Sequence, residues 1–137
     1  MRALTMTVLA CAIAAIGALA ATPVAAADTP PFALPATFQA TEPCADCPGI
    51  RTTLALTSSS YVLTLHYLER KVPDTVYKGP WTYSKSPSRI KCSSPYGAPQ
   101  YFEVINAATL RAMNRAGTGP APMAPNDLKL VPPAPKQ

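Results

Sequence analysis

Two cysteines three residues apart, in Pro43-Cys44-Ala45-Asp46-Cys47-Pro48-Gly49-Ile50, form the part of this sequence best equipped for chemistry. Thiols at that spacing can close a local disulfide, hold a soft metal ion as a thiolate pair, or exchange disulfides with a partner. The disulfide is the favoured expectation, because two ligands alone do not complete a coordination shell. Exchange of the oxidoreductase kind needs a helix amino terminus after the motif to activate the first thiol. Here Pro48-Gly49 leads into an alternating, strand-like run instead. Cys92 leaves an odd thiol with two open readings. It is a buried small side chain beside Ile90, or an additional sulfur that with Cys44 and Cys47 would suit Cu(I).

Catalytic patterns are otherwise missing from the sequence. His66, the single histidine, stands mid-run with Val62, Thr64 and Leu68 on its face and no evident carboxylate partner, and is expected to be structural. The seven carboxylates are isolated in sequence, and neither a Ser, His, Asp order nor a glycine-rich phosphate cradle stands out. The protein is expected not to be an enzyme, with no catalytic residues.

The elements that must position these groups read as short strands. Sixteen prolines after residue 27 argue against helices, and period-two alternation recurs instead. Ile50, Thr52, Leu54 and Leu56 share a face. After a Ser58-Ser59-Ser60 turn, so do Tyr61, Leu63, Leu65 and Tyr67, which predicts a β-hairpin. Thr75 to Lys78 and Trp81 to Ser84 read as two strands separated by a bend at Gly79-Pro80. Arg89 to Ser93, Tyr101 to Ile105, Thr109 to Met113 and Asp127 to Val131 complete about eight strands. The fold class expected is all-β, a small antiparallel barrel or half-barrel. Residues 28–35 and 132–137 are Pro-rich and expected to be extended or disordered tails around a single domain at 36–131.

The first 27 residues carry a different signal. Arg2, an apolar run from Ala3 to Ala21, and the small-residue exit Pro23-Val24-Ala25-Ala26-Ala27 have the parts of a secretory signal peptide, cut after Ala27 or Ala26. Cys11 lies inside that run with Ala12 to Ala21 still to follow, so it is expected to leave with the signal rather than carry a lipid. No stable membrane span is expected after cleavage. From Asp28 onward eleven Lys or Arg face seven Asp or Glu. They are scattered, whereas nucleic-acid binding would demand a concentrated stripe.

Phe38, the octapeptide at 43–50, Thr53-Leu54-Ala55-Leu56, Tyr61-Val62-Leu63, Tyr67, Gly79-Pro80-Trp81, Ile90, Tyr101 to Ile105 and Thr109-Leu110-Arg111 together resemble, in order, the amino-terminal domain of the NlpE family. The likeness covers about residues 36 to 131. It implies a lipocalin-like β-barrel in a Gram-negative envelope and an association with copper resistance and envelope stress. Cys44 and Cys47 are the motif positions that carry over, as the suspected copper or redox element. Two features of the family are expected to be missing, a well-placed lipobox and the second, OB-type domain of its longer members. The expected function is thus that of a periplasmic protein that binds rather than catalyses, with a copper ion or an envelope protein as partner. Two rivals are a lipocalin-like carrier of a small apolar ligand and a protein-interaction or inhibitor module using Pro95 to Pro99 and Pro120 to Pro125.

Overall fold

A computed structural model describes residues 27–122 and 127–133. The expected signal segment up to Ala26, Cys11 and the last residues of the expected C-terminal tail lie outside the described residues. Eight strands run in order: β1 (Ala36–Glu42), β2 (Ile50–Leu56), β3 (Ser60–Tyr67), β4 (Thr75–Lys85), β5 (Ser88–Cys92), β6 (Gln100–Asn106), β7 (Thr109–Ala112) and β8 (Leu128–Leu130). Each pairs antiparallel with its sequence neighbours, and β1 pairs with β8 to close the barrel. Closure leaves no long unpaired edge. The described part is all-β, as the alternation requires.

Period-two patterning decides what lies inside. Phe38, Leu54, Leu56, Tyr61, Leu63, Ile90, Cys92, Phe102, Val104, Leu110 and Leu128 are buried and form one core. An eight-stranded barrel is just wide enough for such side chains to fill it. The hairpin of β2 and β3 has the predicted faces, with Leu54 opposite Leu63 and Leu56 opposite Tyr61, although Ser60 already belongs to the strand.

Three readings need correction. Residues 75–85 form one strand rather than two: Thr75 to Pro80 pair with β3, and Trp81 to Lys85 pair with β5. Pro80, with no N–H to donate, sits where the strand changes partners, so its missing donor breaks nothing. At Gly79 a Cβ would stand 2.1 Å from the Ser93 carbonyl oxygen, so the close crossing of the β5–β6 loop requires glycine. Secondly, β1 was not anticipated, and it replaces the strand lost by that merger. Thirdly, the 28–35 segment is not a free tail. Phe32 is buried and meets Phe38 edge-on, with ring centroids 5.1 Å apart, and Asp28 Oδ2 accepts a hydrogen bond of 2.9 Å from the Lys85 amide.

Up-and-down topology sorts the connections by end. The β1–β2, β3–β4, β5–β6 and β7–β8 loops share one end of the barrel. At the other lie the short turns, the start of β1 and the residues after β8, where the Val131 amide donates to the Thr37 carbonyl at 2.8 Å.

Candidate functional site

The β1–β2 loop carries the cysteine pair. Antiparallel pairing of Glu42 with Ile50 brings its two ends together, and a Cβ on Gly49 would lie 2.9 Å from Thr41 Cγ2 and 3.1 Å from the Glu42 carbonyl oxygen. The loop therefore turns back on β1 at a residue with no room for a side chain. Within it Cys44 and Cys47 are joined in a disulfide, with Cα atoms 5.2 Å apart. The Cys44 sulfur lies 3.4 Å from Asp46 Oδ1 and the Cys47 sulfur 3.4 Å from the Gly49 carbonyl oxygen. Both cysteines are half-buried and Asp46 is exposed. No helix follows the motif, since Ile50 opens β2.

The neighbouring β3–β4 loop holds this one in place. Arg70 Nη2 donates to Asp46 Oδ2 in an ion pair, and the Leu68 amide donates to the Gly49 carbonyl at 2.9 Å. At the same end, burial raises the Glu42 carboxyl above its ordinary range. The ligand-type atoms of Cys44, Asp46 and Cys47 all lie within 4.8 Å of one another. Sequence reasoning named the two sulfurs but missed Asp46 as a third donor. Its place between the cysteines was the available signal.

Cys92 is not part of that group. It is fully buried in β5, opposite Trp81 and Gln100, and desolvation pushes its thiol up to about 12. It is the buried small side chain of the two readings, and it is the free cysteine among the described residues.

His66 does have a carboxylate partner, contrary to expectation. Its Nδ1 lies 2.7 Å from Asp74 Oδ1, with both side chains nearly half exposed on the outer wall. Folding also brings together Arg111 and Asp127, whose two hydrogen bonds of 2.8 and 3.1 Å fasten β7 to the segment entering β8. That pair holds the Asp127 carboxyl below the usual range. The barrel interior is filled by the side chains named above, which does not favour an apolar cargo inside it. On the outer wall, a groove of about 630 Å³ runs along β3 and β4 to the β5–β6 loop. Among the described residues no helix is long and apolar enough to cross a membrane.

Known proteins share this fold. A family model described as the NlpE N-terminal domain matches residues 38–121. A crystal structure of the Cpx pathway activator NlpE from Escherichia coli is 26% identical with a TM-score of 0.54, covering 64% of this chain and 45% of that one. A protein from Shewanella oneidensis classed as a candidate lipoprotein is also 26% identical, with a TM-score of 0.51, covering 72% of this chain and 89% of that one. The chain thus spans less than half the length of the E. coli protein. Comparison with curated proteins finds no match.

Proposed function

The chain belongs to the NlpE family, and from that premise we propose that it is an exported, non-enzymatic protein of the bacterial envelope stress response whose Cys44–Cys47 pair is the responsive element. The observation that carries this reading is the placement of the pair. A disulfide sits in a loop at one end of a closed barrel, accessible in part, with the Asp46 carboxylate beside it and an arginine from the next loop on that carboxylate. An oxidising compartment keeps such a pair closed. Reduction would give two thiols, each with an oxygen acceptor already 3.4 Å away.

Copper fits the reduced form and not the closed one. Soft thiolates suit Cu(I), and Cys44 and Cys47 would hold it, with Asp46 supplying negative charge close by. In the disulfide neither sulfur is a thiolate. Copper binding is therefore coupled to the redox state of the pair, which would let one loop respond to both copper and reductant. The kinship of the fold to a Cpx pathway activator supports a signalling role.

The test is genetic. Replacing Cys44 and Cys47 by Ser in the producing strain should lower copper tolerance or blunt induction of an envelope-stress reporter while the protein accumulates normally. Unchanged tolerance and unchanged induction would rule the pair out.

A further inference from the structure

The outer-wall groove offers a second surface, and none of Pro43 to Gly49 lines it. Its floor and walls are Tyr61, Val62, Gly79, Pro80 and Pro95, with Ser93 and Ser94 at one side. On a barrel wall, outward positions should be polar. Here Val62 on β3 is 40% exposed, and Val76 on β4, two residues before Lys78, the register partner of Val62, is 53% exposed. The groove exists because β4 changes partners at Pro80, where the β5–β6 loop crosses and the Ser93 amide donates to the Pro80 carbonyl at 3.0 Å.

Charge says what kind of occupant fits. Lys78 lines the groove, and Lys91 stands on the outer face of β5 two residues before Ser93. Both are exposed, and among the described residues neither forms an ion pair. Of the outward carboxylates nearby, Asp74 is held by His66, and Glu103 lies on β6 between the register positions of Arg89 and Arg111. Two uncommitted cations thus flank an apolar strip. The strip is an open shelf rather than an enclosed cavity, whereas small-molecule sites bury most of their ligand. A closed barrel has no edge for a strand to join, so an extended partner must bind through side chains.

We propose that this shelf docks an acidic polypeptide segment, which seats an aliphatic or aromatic side chain between Val62, Pro80 and Pro95 and sets carboxylates on Lys78 and Lys91. Apolar contact supplies the affinity and the lysines supply orientation and encounter rate. The surface is separate from the cysteine loop, so it stands or falls independently of the reading above.

Benzoylphenylalanine at position 62 of the full chain, photoactivated in intact cells, reports what covers the shelf once the adduct is digested and sequenced by mass spectrometry. The expected adduct is a polypeptide whose linked segment carries Asp or Glu beside a large apolar side chain. Its yield should fall about tenfold when Lys78 and Lys91 are both changed to Glu. The milder Lys78→Gln, Lys91→Gln pair should give an intermediate loss, and the melting temperature of each variant should match the parent. An adduct indifferent to those changes, an adduct only to lipid or to a second copy of this chain, or no adduct at all would overturn the proposal.

Discussion

Arg70 pairs with Asp46, the residue two positions after Cys44 and one before Cys47, across 24 residues of sequence. One loop thereby holds the cysteine loop of another at the same end of the barrel. The two side chains are 41% and 67% exposed, so screening by water and salt leaves the pair little weight in global stability. Its effect is local: it orders the cysteine loop and sets a cation on the carboxylate beside the disulfide.

Arg70→Gln should accordingly leave chemical denaturation within about 1 kcal/mol of the parent. It should instead speed reduction of the Cys44–Cys47 bond by dithiothreitol, by roughly twofold to fivefold, the range expected from losing an exposed pair. Stopped samples trapped with a maleimide measure the rate. An unchanged rate would mean that the ion pair does not order the loop.

Phe32 should behave as a core residue although it precedes the first strand. Its ring is buried against Phe38, and Phe32→Ala should cost about 3 kcal/mol in urea unfolding. A cost below about 0.5 kcal/mol would show that the 28–35 segment does not pack on the barrel in solution.

Gly79 and Gly97 make a matched pair. Gly79→Ala forces a methyl into the Ser93 carbonyl, 2.1 Å away, whereas a Cβ at Gly97 meets nothing within 4 Å. The first change should destabilise by about 3 kcal/mol and the second by less than about 0.5 kcal/mol. Equal effects would remove the close crossing of the β5–β6 loop over β4.

Cys92 predicts an alkaline limb. Burial lifts its thiol from an ordinary 9.0 to about 12, so the folded protein holds the proton that the unfolded chain releases. The resulting stability is complete below about pH 9 and is lost as the pH climbs towards about 12, by as much as ~4 kcal/mol. Cys92→Ala should be less stable at neutral pH yet show a shallower fall across that window. Identical slopes would contradict the burial. The same thiol should resist Ellman's reagent until the protein is unfolded.

Where alternation was clean, the sequence alone was enough. Ile50 to Leu56 and Tyr61 to Tyr67 show their inward faces as patterned, because one slip would turn every buried side chain outward. Gly79-Pro80 misled, since the same dipeptide that signals a break also suits a strand changing partners. β1 was hidden by its small inward residues, Ala36 and Ala40 around Phe38, which give a weak hydrophobic period. Phe32 was masked by flanking prolines.

Side-chain partners were legible only when adjacent. Cys44 and Cys47 declare themselves by spacing. Arg70 reaches Asp46, and Asp127 reaches Arg111, only through strand register and loop approach, and propensity carries neither. His66 and Asp74 are eight residues apart on the two sides of the β3–β4 loop, a proximity visible only after the hairpin is drawn.

Titration of the reduced protein with Cu(I) against a competing chromophoric chelator shows whether Cys44 and Cys47 hold the metal. The parent should withdraw an equivalent of Cu(I) from the chelator and the Cys44→Ser, Cys47→Ser variant should withdraw none, Cys92 being buried in both. The disulfide form of the parent should match the double variant. Equal withdrawal by parent and double variant would contradict the assignment of the chemistry to this pair.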